Sequence, residues 1–118
     1  MFFLLCSITT GDITIRPISS HSDICVGEKA SFAVEVHNYF DDLDFKVIWK
    51  YNMIAEVQKN EHFSLKADNT TLDVHNALPS HSGNYTVFAV LMQNGSPVES
   101  VLSFTSFDLR VRGKNIKL

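Results

Sequence analysis

Apolar and polar residues alternate with a period of two along most of this chain. The segments Phe32–His37 and Phe45–Lys50 place an apolar residue at every second position. Successive side chains of a β-strand point to opposite faces, so this alternation is typical of half-buried strands. No window of about eleven residues shows the i, i+3, i+4 spacing of an amphipathic helix. The pattern predicts an all-β fold.

Turn-forming residues separate the alternating segments. Asn94 and Gly95 stand between two apolar runs, and both residue types readily adopt the positive φ that a tight hairpin turn requires. Further turn signals lie at 41–42, 59–61, 67–69 and 79–83. About seven to nine short strands at this spacing in roughly 100 residues predict a β-sandwich of two antiparallel sheets.

The charge pattern excludes some partners. The net charge is −3, and the Lys and Arg residues are scattered along the chain. Nucleic-acid binding usually needs a basic patch, so we expect no nucleic-acid partner. No stretch approaches the roughly 18 apolar residues that cross a bilayer, so we expect no transmembrane segment within this chain.

The N-terminal and C-terminal segments differ in composition from the alternating segments between them. Residues 1–11 form an apolar run followed by small residues, which is typical of a short secretory signal peptide, although a first β-strand is the alternative. We assign residues 12–112 to the folded domain. Residues 113–118 begin with Gly113 and are basic, and we interpret them as a tail or a truncated linker.

Three Asn-x-Ser/Thr triplets predict an exported glycoprotein, at Asn69, Asn84 and Asn94. Pro97 should make the third a poor acceptor. If the signal peptide is removed with Cys6, Cys25 is left alone, either inert or available for an intermolecular disulfide.

Catalytic and metal-binding patterns are weak. The five His residues show no spacing typical of a metal site, and Asp41, Asp42 and Asp44 are interpreted as an acidic turn rather than a cation site. His81 stands between two serines, but no acidic partner can be assigned to it. We predict no enzyme activity, no catalytic or metal-binding residue and no cofactor. A secreted enzyme or a metal-dependent domain is the competing class.

Three features together resemble a V-type immunoglobulin domain. They are the segment Gly27–Val34, the tryptophan at position 49 and the segment Leu72–Val87. The resemblance implies an immunoglobulin-like V-type β-sandwich in which Tyr85 forms the tyrosine corner, bonding its hydroxyl to the preceding turn. It also implies a set of buried residues: Val34, Trp49, Leu72, Tyr85 and Val87.

The sequence departs from the family pattern in three places. Val34 and Val87 occupy the positions of the two inter-sheet cysteines, so the usual disulfide is lacking. His81 replaces the Asp that often precedes Ser-Gly, so an ion pair with strand D is missing. The link from Ile54 to Leu72 is short, so strand C″ should be reduced or absent.

Membrane-distal domains without this disulfide occur in two adhesion groups. Four segments resemble the SLAM family of lymphocyte receptors and its T-cell adhesion relatives: Asp41–Asp44, Ile48–Lys50, Ile54–Glu56 and Phe107–Val111. Two resemble the carcinoembryonic-antigen adhesion family: Ser82–Val87 and Val36–Asn38. The first group is favoured.

The resemblance places strands G, F, C and C′ side by side, and alternation then defines the residues on their outward face. We predict a partner-binding GFCC′ face made of Lys46, Ile48, Lys50, Glu56, Phe88, Val90, Met92, Leu102 and Phe104. An exposed apolar patch usually marks an interaction site, although a missing segment or a second domain would cover it equally well.

The function implied is protein recognition in cell adhesion or immune-receptor signalling, outside the cell, at its surface or secreted. The partner is expected to be another cell-surface immunoglobulin-like protein or a second copy of this chain. A structural spacer is the alternative and predicts a polar, glycosylated face instead. Asn84 is placed in the E–F turn, away from the face, so that a sugar there leaves it open.

Overall fold

A computed structural model of the chain describes residues 13–20, 22–38 and 44–113, without the side chains of residues 98–100. The predicted signal segment 1–11, the tail after Gly113 and Asp41 and Asp42 lie outside the described residues. Everything below concerns the described part of the chain.

The regular elements of the described residues are strands and one 3-10 turn, and the strands agree with the alternation. The strands are β1 (Ile13–Ser20), β2 (Asp23–Cys25), β3 (Ala30–Asn38), β4 (Phe45–Tyr51), β5 (Ala55–Glu56), β6 (Phe63–Lys66), β7 (Thr71–Val74), β8 (Gly83–Gln93) and β9 (Ser96–Arg112), with a 3-10 turn at Pro79–His81.

The strands form two sheets that pack as a sandwich. One sheet has the order β1-β3-β7-β6 and the other the order β2-β9-β8-β4-β5. In immunoglobulin lettering these are strands A, B, E, D and A′, G, F, C, C′. Every pairing is antiparallel except that of β2 with β9, which is parallel. The immunoglobulin-like sandwich is thereby confirmed.

Strand C′ is very short, and no strand C″ follows it. β5 contains two residues, and residues 57–62 reach β6 without forming a strand. The Val57 amide donates to the Trp49 carbonyl at 2.8 Å, which continues the β4–β5 register by one residue, and Val57 itself is buried in the core. A variable-type domain adds both C′ and C″ to strands G, F and C, so the V-type assignment stays a prediction.

Trp49 lies at the centre of the core. Its side chain is 1% exposed, its ring stacks on Phe107 with centroids 5.9 Å apart, and its Nε1–H donates to the Asn69 carbonyl at 2.7 Å. Val34 and Val87, in the cysteine positions, are both buried in the same cluster. Apolar packing therefore occupies the region where the family's disulfide would lie.

Tyr85 fixes the turn that precedes β8. Its side chain is buried, and its hydroxyl donates to the His81 carbonyl at 2.6 Å. Burial, with Tyr51 nearby, raises the pKa of Tyr85 well above its usual range, so the phenol stays a donor. This is the hydrogen bond that the tyrosine corner implies.

The β8–β9 hairpin has the two-residue turn that Asn-Gly predicts. Gln93 pairs with Ser96, and Asn94 and Gly95 have φ values of 57° and 79°. A type I′ turn needs positive φ at both central positions, which Asn and Gly adopt at little cost. The hairpin sets the register of β9 against β8 only near the turn, because two register shifts follow it, between Met92 and Val90 and between Val90 and Ala89.

Candidate functional site

A row of three apolar residues crosses the outward face of the second sheet. Ile48 of β4 is directly opposite Phe88 of β8, which is opposite Phe104 of β9. Phe88 is only 8% exposed, whereas Phe104 is 62% exposed, and their ring centroids are 6.1 Å apart. Neither ring belongs to the cluster between the sheets. Phe104 therefore presents an open aromatic surface above a nearly buried one.

A second row lies beside the first. Lys46 of β4 is opposite Val90 of β8, which is opposite Val101 of β9. Val90 is 9% exposed and Val101 is 55% exposed. The pattern of a nearly buried central residue and an exposed β9 residue is thus repeated.

The predicted place of Leu102 on this face is wrong. Ala89 pairs with Ser103, but the next residue, Val90, pairs with Val101, so Leu102 is an extra residue in a β-bulge. The bulge reverses the alternation of β9, because one unpaired residue exchanges the two faces beyond it. Leu102 consequently packs against the core, and Val101 takes its position.

Charged and polar residues border the apolar rows. The Lys50 ammonium lies 5.9 Å from the centre of the Phe88 ring, close enough for a cation–π interaction. Lys50 is also directly opposite Glu56 of β5. Met92 is half-buried near the hairpin, opposite Pro97. The charged residues all lie on the β4 and β5 side: Lys46 is the β4 end of the second row, and Lys50 and Glu56 lie beside the first.

The other end of the face is polar and includes Asn84. Asn84 pairs with Asp108, donating from Nδ2 to Oδ1 at 3.2 Å, and its Oδ1 accepts from the Thr86 hydroxyl at 2.6 Å. Thr86 is also 2.8 Å from the Ser106 hydroxyl. The prediction that Asn84 lies in the turn, away from the face, is wrong. It is the second residue of β8, so alternation puts it on the side of Phe88.

The other two predicted glycosylation positions lie in turns. Asn69 follows β6 at φ 68°, and its Nδ2 donates to the Val47 carbonyl at 3.2 Å. The amide that a sugar would modify is therefore already used in the fold. Asn94 is exposed at the tip of the hairpin.

The opposite sheet carries an ion cluster that the sequence pattern did not reveal. Asp73 of β7 is 1% exposed, accepts from the Ser31 hydroxyl at 2.7 Å, and pairs with Lys66 at 2.8 Å and Lys29 at 3.6 Å. Burial alone raises the pKa of Asp73, but the hydrogen bonds and the two ammonium groups outweigh it and hold that pKa below its usual range. An Asp within a Thr-Leu-Asp-Val strand carries no signal for Lys66 on the preceding strand or for Lys29, which is distant in sequence.

The described residues bring together no group of three His, Cys, Asp or Glu side chains that could hold a metal ion. No helix among them is long and apolar enough to span a membrane. Cys25 is exposed on β2 and forms no disulfide with another described residue.

Comparison with known proteins identifies the fold through structure rather than sequence. No protein-family model and no curated protein matches the sequence. Among solved structures, titin domain I10 superposes with a TM-score of 0.59 and 19% identity, over 84% of this chain and 97% of that one. The chain has an immunoglobulin-like fold.

Two further structures show the same likeness. Chimeric titin Z1Z2 gives a TM-score of 0.63 at 14% identity, over 86% of this chain and 95% of that one. The complex of titin M10 with an obscurin-like 1 immunoglobulin domain gives 0.59 at 17% identity, over 85% and 98%. At such identities the comparison supports the immunoglobulin-like architecture and no finer family.

Proposed function

We propose that this domain is an extracellular recognition module that binds a protein partner through its GFCC′ face. The observation that carries the proposal is the 62% exposure of Phe104, packed over Phe88 on an open sheet face. Val101, which is 55% exposed on the neighbouring row, extends the apolar patch. Exposed aromatic residues on a rigid, well-packed base are typical of the few side chains that dominate binding energy.

The partner we propose is another immunoglobulin-like protein or a second copy of this chain, in adhesion or immune-receptor signalling, because the sequence resembles adhesion receptors. The apolar rows would be covered by the partner, while Lys46, Lys50 and Glu56 at the border would influence register and encounter rate. A similar fold is found in the titin M10 complex with an obscurin-like 1 immunoglobulin domain. The resemblance of the sequence to lymphocyte adhesion receptors supports a cell-surface or secreted location.

The experiment uses the exposed residues of the face. Burial of one Phe side chain contributes about 1.5–3 kcal/mol, so Phe104→Asp should weaken binding by at least about tenfold. Ile18→Asp is the matched control, because Ile18 is 64% exposed on the opposite sheet. Fluorescent multimers of each variant would be tested for staining of intact cells, and sedimentation equilibrium would measure self-association.

Loss of staining or of self-association with Phe104→Asp, but not with Ile18→Asp, supports the face. Concentration-dependent dimers distinguish a second copy from a different partner. If both variants bind like the wild type while remaining folded, the proposal fails and a structural spacer explains the domain better.

A further inference from the structure

A groove opens at one edge of the sandwich, away from the GFCC′ face. It lies between β5 and β6, the edge strands of the two sheets, and has a volume of about 320 Å³. This is within the range of small-molecule sites. The opposite edge is closed by side chains of β9: the Ile15 amide donates to the Ser103 hydroxyl at 3.3 Å, and the Thr105 hydroxyl donates to the Ile15 carbonyl at 3.2 Å.

The groove exists because β5 is short. Residues 57–62 form no strand, so nothing in the described chain pairs with the outer edge of β5. Val57 turns inward, where it is buried, and the aromatic residues beneath the edge line the opening.

Four of the ten described residues that line the groove carry rings, and these rings contact one another. Tyr51 and Tyr85 pack with centroids 5.1 Å apart, and Phe63 meets His81 edge-on at 5.4 Å. The Tyr51 hydroxyl donates to the Ser82 carbonyl at 2.5 Å, and the Tyr85 hydroxyl donates to the His81 carbonyl. Because the hydroxyls are tied to the turn backbone, the ring orientations are set before any ligand arrives.

The formal charge among the residues that line the groove is negative, although Lys50, outside the lining, stands directly opposite the charged one, Glu56. Of the described residues that line it, Glu56 is the only one with a formal charge at neutral pH, and none is Lys or Arg. The His81 Nδ1 accepts a hydrogen bond from the Leu78 amide at 2.9 Å, which requires the ring to be unprotonated there. Burial and the neighbouring His62 lower the pKa of His81, which is consistent with a neutral ring.

We propose that this groove binds a small organic cation, an ammonium group carrying alkyl substituents. The rings of Tyr51, Phe63 and His81 would receive the alkyl groups, and Glu56 at the rim would face the positive charge. Aromatic faces attract such cations because the ring quadrupole is negative above its plane. The groove adjoins the protein-binding face at Glu56, but its aromatic lining is separate from the apolar rows, so the inference does not depend on a protein partner.

The test compares choline with neohexyl alcohol, its neutral carbon isostere, in a chemical-shift titration of the full chain. We expect choline to shift the resonances of Tyr51, Phe63 and His81 and to bind about two- to fivefold more tightly than the alcohol, as a cation–π contribution implies. Glu56→Gln should reduce that preference without abolishing it, because it removes the carboxylate at the rim and leaves the rings in place. Glu61→Gln, an exposed carboxylate outside the groove, should leave it unchanged.

Equal affinity for the two probes overturns the proposal, as does a preference for choline that Glu56→Gln leaves unchanged, or the absence of shifts at the groove. Phe104→Asp should not affect choline binding. Failure of the groove and failure of the protein-binding face are therefore separate results.

Discussion

The outward face of each sheet carries one nearly buried side chain, but the residues that cover it differ in chemistry. On the first sheet a carboxylate, Asp73, is almost completely buried beneath the side chains of Lys29 and Lys66. On the second, Phe88 is almost completely buried beneath Phe104 and beside Lys50. The lysine ammonium groups give the first face a charged surface in contact with water, whereas the exposed ring of Phe104 gives the second face an apolar surface. Covering the second face would therefore remove an exposed aromatic ring from water.

The largest expected effect separates the two phenylalanines. Phe88→Ala should lower the free energy of unfolding by about 3 kcal/mol, because it removes a nearly buried ring. Phe104→Ala should change it by less than about 0.5 kcal/mol, because most of that ring is already in water. Urea denaturation measures both. Similar losses for the two variants would contradict the conclusion that Phe88 stabilises the fold whereas Phe104 is mainly a surface residue.

The next effect concerns the buried carboxylate. Asp73→Asn should cost about 1–3 kcal/mol of unfolding free energy, because it weakens the bonds that satisfy Ser31 and removes the charge that pairs with two lysines. Glu35→Gln is the control: Glu35 pairs with Arg16 at 2.6 Å on the same face but in solvent. Its loss should be clearly smaller. Equal effects in thermal and urea unfolding would show that burial does not strengthen the Asp73 cluster.

The pH dependence of stability should distinguish the contribution of Asp73 from that of His81, in the 3-10 turn that precedes β8. The pKa of Asp73 is lowered in the fold, so its contribution is present above the unfolded value near 4 and is lost as pH falls further. The pKa of His81 is also lowered, so the unfolded chain takes up that proton first and stability begins to fall below about pH 6.5.

Unfolding curves between neutral pH and pH 3 test the two windows. Asp73→Asn should remove part of the acid loss, since the lowered pKa values of Asp23 and Glu35 also act there, and should leave the window below 6.5 unchanged. His81→Asn, which keeps an acceptor for the Leu78 amide, should flatten the window below 6.5 alone. If either variant removes both losses, the assignment of the two windows is incorrect.

The smallest expected effect is at the border of the apolar face. Lys50→Met should lower stability by less than about 1 kcal/mol, the size of a partly exposed cation–π contact with Phe88. Lys46→Met, at an exposed position of the same strand, should have no measurable effect. A loss for Lys46→Met as large as that for Lys50→Met, in the same urea titration, would mean that the ring contact contributes nothing.

Part of this comparison could be predicted from local patterns. Trp49 and Tyr85 are buried where the family resemblance puts them, and the Asn94–Gly95 turn needs only two residues that tolerate positive φ. Ile48, Phe88 and Phe104 line up because three strands keep an unbroken alternation up to that row. These features depend on the period of two and on the chemistry of single residues.

Other parts could not be predicted. Val101 and Leu102 are adjacent apolar residues, which was a hint of a bulge, but only the pairing with β8 decides which of them is left over. Asn84 was assigned to the turn because strand boundaries are not marked in the sequence, and β8 begins one residue before it. The groove at β5 depends on how far the edges of two sheets stand apart, a distance between segments that are not consecutive.

By itself, the sequence determined that this chain forms strands, that valines stand where a disulfide is usual, and that an indole and a phenol anchor the core. The tertiary structure decided which apolar residues of β9 face outward, that a buried Asp lies beneath two lysines, and that one edge of the sandwich stays open. The physical reason is that side-chain alternation is local, whereas register, ion pairing and edge closure are properties of strands distant in sequence that meet only in the folded domain.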